Sequence, residues 1–212
     1  MVSVRKSNRF AKLTSKTDNM EETMAAIRNI LNVYEKADSA KKVDIIIRYY
    51  PNFLGIVNSY TEGLLYMIEN EKAYNRSKNR GDLGVRVQTS GKHSDITADT
   101  AISNVITRDA IIACDFSGDV LDGVDRGEEF QKEAFLLRMM RKDYELFNQQ
   151  LGILDKEEAE VFGQLLRKEK CIADIAEDRG LVYESVQQKL HRVKRKLKVQ
   201  MVGFLDGNVG GV

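Results

Sequence analysis

The residues with the clearest chemical potential lie in one run near the C-terminal end, "YESVQQKLHRVKRKL", Tyr183 to Leu197. Val186, Leu190, Val193 and Leu197 recur at helical spacing and form one apolar stripe. At about 100° per residue the opposite face carries Glu184, Gln188, His191 and Arg195, flanked by Gln187, Arg192 and Lys198. That face is sorted along its length, with hydrogen-bonding side chains first and cations after. Gln pairs with adenine and Glu accepts from cytosine, while Lys and Arg neutralise phosphate. The pattern predicts a helix that reads double-stranded DNA. Its base-contact candidates are Tyr183, Glu184, Gln187, Gln188 and His191. Its phosphate-contact candidates are Lys189, Arg192, Lys194, Arg195 and Lys198.

A blander cause competes with this. Cations near a helix C-terminus complement the macrodipole, each by about 0.3–1 kcal/mol. Lys189, Arg192, Lys194, Arg195, Lys196 and Lys198 are too many for that alone, and no acid stands between Glu184 and Asp206. His191 has no Cys or His neighbour in sequence with which to hold a metal.

Such a helix needs a partner to hold it across the groove. Asp155 followed by Glu158 forms a capping-box-like start to a helix that buries Val161, Phe162, Leu165 and Leu166. A second short helix is expected over Ile172–Arg179. Gly180 then supplies a positive-φ turn, with Leu181 expected in the core. Helix, tight turn and reading helix make a helix-turn-helix, placed in a C-terminal domain over residues 151–205 that is expected to fold on its own.

From Leu154 to Lys198 the sequence resembles region 4 of the sigma-70 class, through Ile175-Ala176-Glu177, Gly180-Leu181, Val186, Leu190 and "HRVKRKL". The resemblance implies a region-4 type helix-turn-helix with Tyr183, Glu184, Gln187 and Gln188 facing the bases. Two positions depart from the family pattern. Val182 stands where Ser or Thr commonly caps the third helix, and Arg179 replaces an apolar residue before the glycine. A second stretch, "LGVRVQTSGKHSDITADTAI", resembles the segment upstream of the helix-turn-helix in phage transcriptional regulators of the RinA and ArpU type, with Ile96 where proline is commoner. Together these imply a phage- or prophage-encoded transcriptional regulator.

The remainder divides by pattern. Residues 1–18 read as a basic arm, and 19–150 as a helical N-terminal domain. Within that domain, helices are expected over about 19–35, 40–50 and 52–77, packing as a small antiparallel unit, and again from Ile96 and over 128–150. Pro51 separates the second from the third, and Gly152 is expected to end the last. Segment 78–95 contains glycines and includes an extended "GVRVQ", residues 113–127 form an acidic connector, and 206–212 a tail. The connector's acids do not follow the ligand order of a calcium loop.

Totals limit the alternatives. A 212-residue chain of net charge +1, with one Pro and no Trp, reads as all-α with no global attraction to nucleic acid. Cys114 and Cys171 form no metal spacing and are expected to be buried thiols. No apolar run reaches the ~20 residues of a membrane span, and no signal-peptide core is present, so the cytoplasm is the expected compartment. No nucleotide-binding, serine-hydrolase or zinc-protease motif occurs, so neither an enzyme nor a cofactor is expected. Besides DNA, RNA polymerase and a second copy joined through the N-terminal helices are candidate partners. Two rival readings stand: a divergent sigma factor, and a helical interaction module whose basic helix binds an acidic protein.

Overall fold

A computed structural model describes residues 30–79 and 96–208. The basic arm, most of the first expected helix, the "GVRVQ" segment and the end of the tail lie outside the described residues. Those described are helices and turns, with no strand. They run α1 (30–35), α2 (Ser39–Tyr49), a 3-10 turn (Tyr50–Asn52), α3 (Phe53–Asn79), α4 (Ile96–Ala113), α5 (Gly127–Ile153), α6 (Lys156–Leu166), α7 (Ile172–Arg179) and α8 (Tyr183–Leu205).

Local chemistry explains most boundaries. The Asp38 carboxylate accepts the Lys41 N–H at 2.7 Å and starts α2. Pro51 lies in the 3-10 turn, where its missing N–H is tolerated. α5 has no side-chain cap of its own. Glu71 of α3 takes that role from a distance, accepting the N–H groups of Asp125 at 2.7 Å and Arg126 at 3.0 Å, and the Arg126 Nε at 3.1 Å. Desolvation pushes the Glu71 carboxyl up, but these hydrogen bonds outweigh it and hold the group below the usual carboxylate range. Gly152 does not end α5, which continues to Ile153.

α3 packs on α4 and α5, and its buried residues include Phe53, Val57, Leu64 and Ile68. They meet a stripe on α5 of Phe130, Ala134, Leu137, Met140 and Phe147. Inside this core sits one polar pair. The Tyr34 hydroxyl donates to Asp143 Oδ2 at 2.8 Å, with both residues buried. Burial pushes both groups up from their ordinary values, Tyr34 further through the Asp143 charge. Among the described side chains of α4, Thr107, Ala110 and Ile111 are buried, while Ile102, Val105, Ile106 and Ile112 are exposed.

α2 does not close a unit with α1 and α3 alone. It lies along the second half of α8, tied there by Ser39 Oγ to Asp206 Oδ1 at 2.5 Å and Lys198 Nζ to Asp44 Oδ2 at 2.6 Å. α5 also touches α8. One hydrophobic cluster therefore runs from Ile30 to Met201, across the expected boundary at 151. That boundary falls in the last turn of α5, with Leu154 buried directly after it.

Candidate nucleic-acid interface

α6 and α7 both pack against α8. Asp155 occupies the N-cap of α6, but its side chain makes no capping bond, and only its carbonyl accepts, from Ala159 N–H at 2.8 Å. The expected capping box does not form there: Glu158 Oε2 makes no hydrogen bond and lies 4.0 Å from Lys196 Nζ. A cap of that kind occurs at α7, where the Cys171 N–H donates to the Asp174 carboxylate at 2.8 Å. The bonds from Cys171 hold the Asp174 carboxyl below its usual range. Cys171 is exposed and Cys114 half-buried, so neither is the buried thiol expected, since each stands at a helix end rather than within a stripe.

The turn after α7 closes through two backbone bonds. Leu181 N–H reaches the Ala176 carbonyl at 2.9 Å, and Gly180 N–H the Glu177 carbonyl at 3.1 Å. This is the Schellman pattern, and it requires the left-handed φ of +61° that Gly180 adopts. Leu181 does not enter the core. It is 48 % exposed, and Val182, which caps α8 without a side-chain bond, is 65 % exposed. Arg179, the residue before the glycine, binds Glu157 of α6 at 2.9 Å.

α8 buries Val186, Leu190, Val193, Leu197 and Met201. All five base-contact candidates, Tyr183, Glu184, Gln187, Gln188 and His191, are exposed on it. The phosphate-contact candidates divide. Lys189 meets Glu157 at 2.6 Å, while Lys198 and Lys194 flank the two oxygens of Asp44 at 2.6 and 3.7 Å. Lys196 lies near Glu158. Arg192 and Arg195 are exposed, with no ion pair among the described residues. Each lysine of α8 thus faces an acid from α2 or α6, and both arginines face outward. The hydrogen bond and charge of Lys189, with Arg179 beside it, hold Glu157 below its usual range.

The acids that sort these cations are what sequence reasoning misses. Asp44 looks like the solvent face of an amphipathic helix. Glu157 looks like a charge placed for the dipole of α6. Only the approach of α2 and α6 to α8 reveals their partners. The exposed pair Leu181 and Val182 is also missed; its one sequence signal is a valine where a capping hydroxyl is commoner.

Among the described residues no group of His, Cys, Asp and Glu could hold a metal ion. None of the described helices is long and apolar enough to cross a membrane. No family model, curated protein or solved structure gives a significant match to the chain.

Proposed function

We propose that the protein is a sequence-specific DNA-binding transcriptional regulator of the phage type, reading promoter DNA with α8. In this reading α6, α7 and α8 form a helix-turn-helix of the sigma-70 region-4 kind. The observation that carries the proposal is the outward face of α8. Glu184, Gln188 and His191 come first, Arg192 and Arg195 follow, and all are exposed while the neighbouring lysines are engaged elsewhere. The first group offers donors and acceptors to base edges and the second offers planar forks to phosphate. Leu181 and Val182, exposed at the leading end of α8, add an apolar surface of the kind that meets thymine methyl groups. The resemblance of residues 83–102 to phage regulators supports the biological setting.

Selection of preferred duplexes from a random pool by the intact chain tests the reading directly. Once a site is found, Gln188→Ala should weaken it by about 1–3 kcal/mol and leave random duplex nearly unchanged. Arg192→Ala with Arg195→Ala should weaken every duplex and flatten log affinity against log salt by about 0.9 per lost contact. A pool with no enriched sequence would refute sequence-specific recognition.

A further inference from the structure

We propose that Asp44, on α2 and outside the proposed reading helix, is an autoinhibitory residue that withholds one of the two charges of Lys194 and Lys198 from DNA phosphate and so lowers affinity for every duplex. The inference rests on the DNA-binding reading of α8. One carboxylate serves two cations a helical turn apart, with Oδ1 toward Lys194 at 3.7 Å and Oδ2 on Lys198 Nζ at 2.6 Å. A cleft beside them is lined by Asp44 of α2 and, on α8, by His191, Arg195, Val199 and Val202 as well as the two lysines. The two lysines therefore adjoin the surface a duplex would cover, and one of their two positive charges is already matched by Asp44.

Competition by phosphate is the central issue, because exposed ion pairs are individually weak. A phosphate that takes Lys198 releases a counterion from the duplex. It also strands the Asp44 carboxylate, which must recruit a counterion of its own. Release and uptake cancel, so the salt-dependent driving force of that contact is lost. The stranded carboxylate also lies well within the ~8 Å screening length of the polyanion and is repelled by it. Both effects act equally on any sequence, because phosphate contacts carry no sequence information. Asp44 thereby lowers binding to every duplex by a similar factor without touching the proposed base-contact residues, and leaves the ratio of selected to random affinity unchanged.

Salt titration of duplex binding by fluorescence anisotropy, with the full chain on a selected and a random duplex, tests this. Asp44→Asn should steepen the slope by about 0.9 and tighten selected and random duplexes alike, about tenfold, at low salt. Lys194→Gln with Lys198→Gln should flatten the slope by about 0.9 in all where Asp44 is present, and by about 1.8 in the Asp44→Asn background. A flattening of about 0.9 per lysine in the presence of Asp44 would overturn the inference, since the lysines would already be on phosphate. So would a folded Asp44→Asn protein with an unaltered slope. If Asp44→Asn fails to fold, the lysine pair alone decides by the same criterion. Absence of binding to any duplex, by any variant, refutes the DNA-binding reading itself, and this inference with it.

Discussion

Cutting the chain near residue 149 should not release a stable reading head, despite the pattern break at Gly152. Leu197 and Met201 are fully buried. Met201 lies between the Lys198–Asp44 and Asp206–Ser39 contacts to α2, and Leu197 directly precedes the first of them. A fragment from Gln149 to Leu205 lacks α2 and nearly all of α5. It therefore exposes those two side chains, each worth roughly 1.5–3 kcal/mol when buried, or about 3–6 kcal/mol together. A domain of about 60 residues has only ~3–9 kcal/mol of stability to begin with. The loss is of the same size as the whole, so the fragment should show reduced helicity and a broad, weakly cooperative urea transition. In the intact chain, Met201→Ala should cost about 2–5 kcal/mol, as for other core truncations. It should also lower hydrogen-exchange protection in α2 as well as α8. A fragment that unfolds cooperatively at a midpoint near that of the full chain would refute the reasoning. So would Met201→Ala leaving α2 protection unchanged.

Two further outcomes follow from single contacts. Val182→Ser should stabilise the protein by about 0.5–1 kcal/mol, because a hydroxyl there can accept an orphan N–H of the first turn of α8 and the valine is mostly exposed. Thermal unfolding should then move up by about 1–4 °C for a chain of this size, and an unchanged or lower midpoint would place the helix start elsewhere. Tyr34→Phe should cost about 1–3 kcal/mol at neutral pH by leaving Asp143 buried without its donor. Because burial raises the folded Asp143 pKa, its contribution is fully present below the ordinary carboxylate range and is lost as pH rises through the raised value. Asp143→Asn, which keeps an acceptor for Tyr34, should remove that pH dependence from urea titrations. A variant that retains it would assign the dependence to another group.

The part of the chain that carries α7 and α8 was largely legible in the sequence. The apolar stripe Val186, Leu190, Val193 and Leu197 is buried as its spacing requires, and Gly180 holds the positive φ expected of it. Periodicity and turn chemistry are local, so they survive without coordinates. Leu181 was misplaced because the residue after a Schellman glycine often covers the preceding turn. Here the facing position is Ala176, too small to draw it in. α4 shows the opposite limit. Its apolar residues are plentiful enough to look like core from any side, yet Ile102, Val105 and Ile106 are exposed. Composition says that a helix is apolar, and only its neighbours decide which face is covered. The pairing of α2 with α8 joins residues some 150 positions apart, Asp44 and Lys198 among them, and no local pattern encodes it.

The sorting of cations on α8 fits the chemistry of the two residue types. A lysine ammonium is a compact, strongly hydrated point charge, served adequately by one nearby carboxylate. An arginine guanidinium presents a planar fork matched to two acceptors at once, as on phosphate or guanine. If the basic run served only the helix dipole, nothing would make the paired positions lysine and the unpaired ones arginine. If α8 binds DNA as proposed, Arg192 and Arg195, unpaired among the described residues, and the one lysine charge that Asp44 leaves unmatched should give a salt slope of about −2.7, small beside that of proteins with 6–10 phosphate contacts. On the proposed reading, a helix so sparing with phosphate would not hold DNA tightly by charge alone. Its affinity would come from the proposed base contacts of Glu184, Gln188 and His191, and from the apolar contact that Leu181 and Val182 would add. This also explains how a chain of net charge +1 could select a site without binding duplexes indiscriminately.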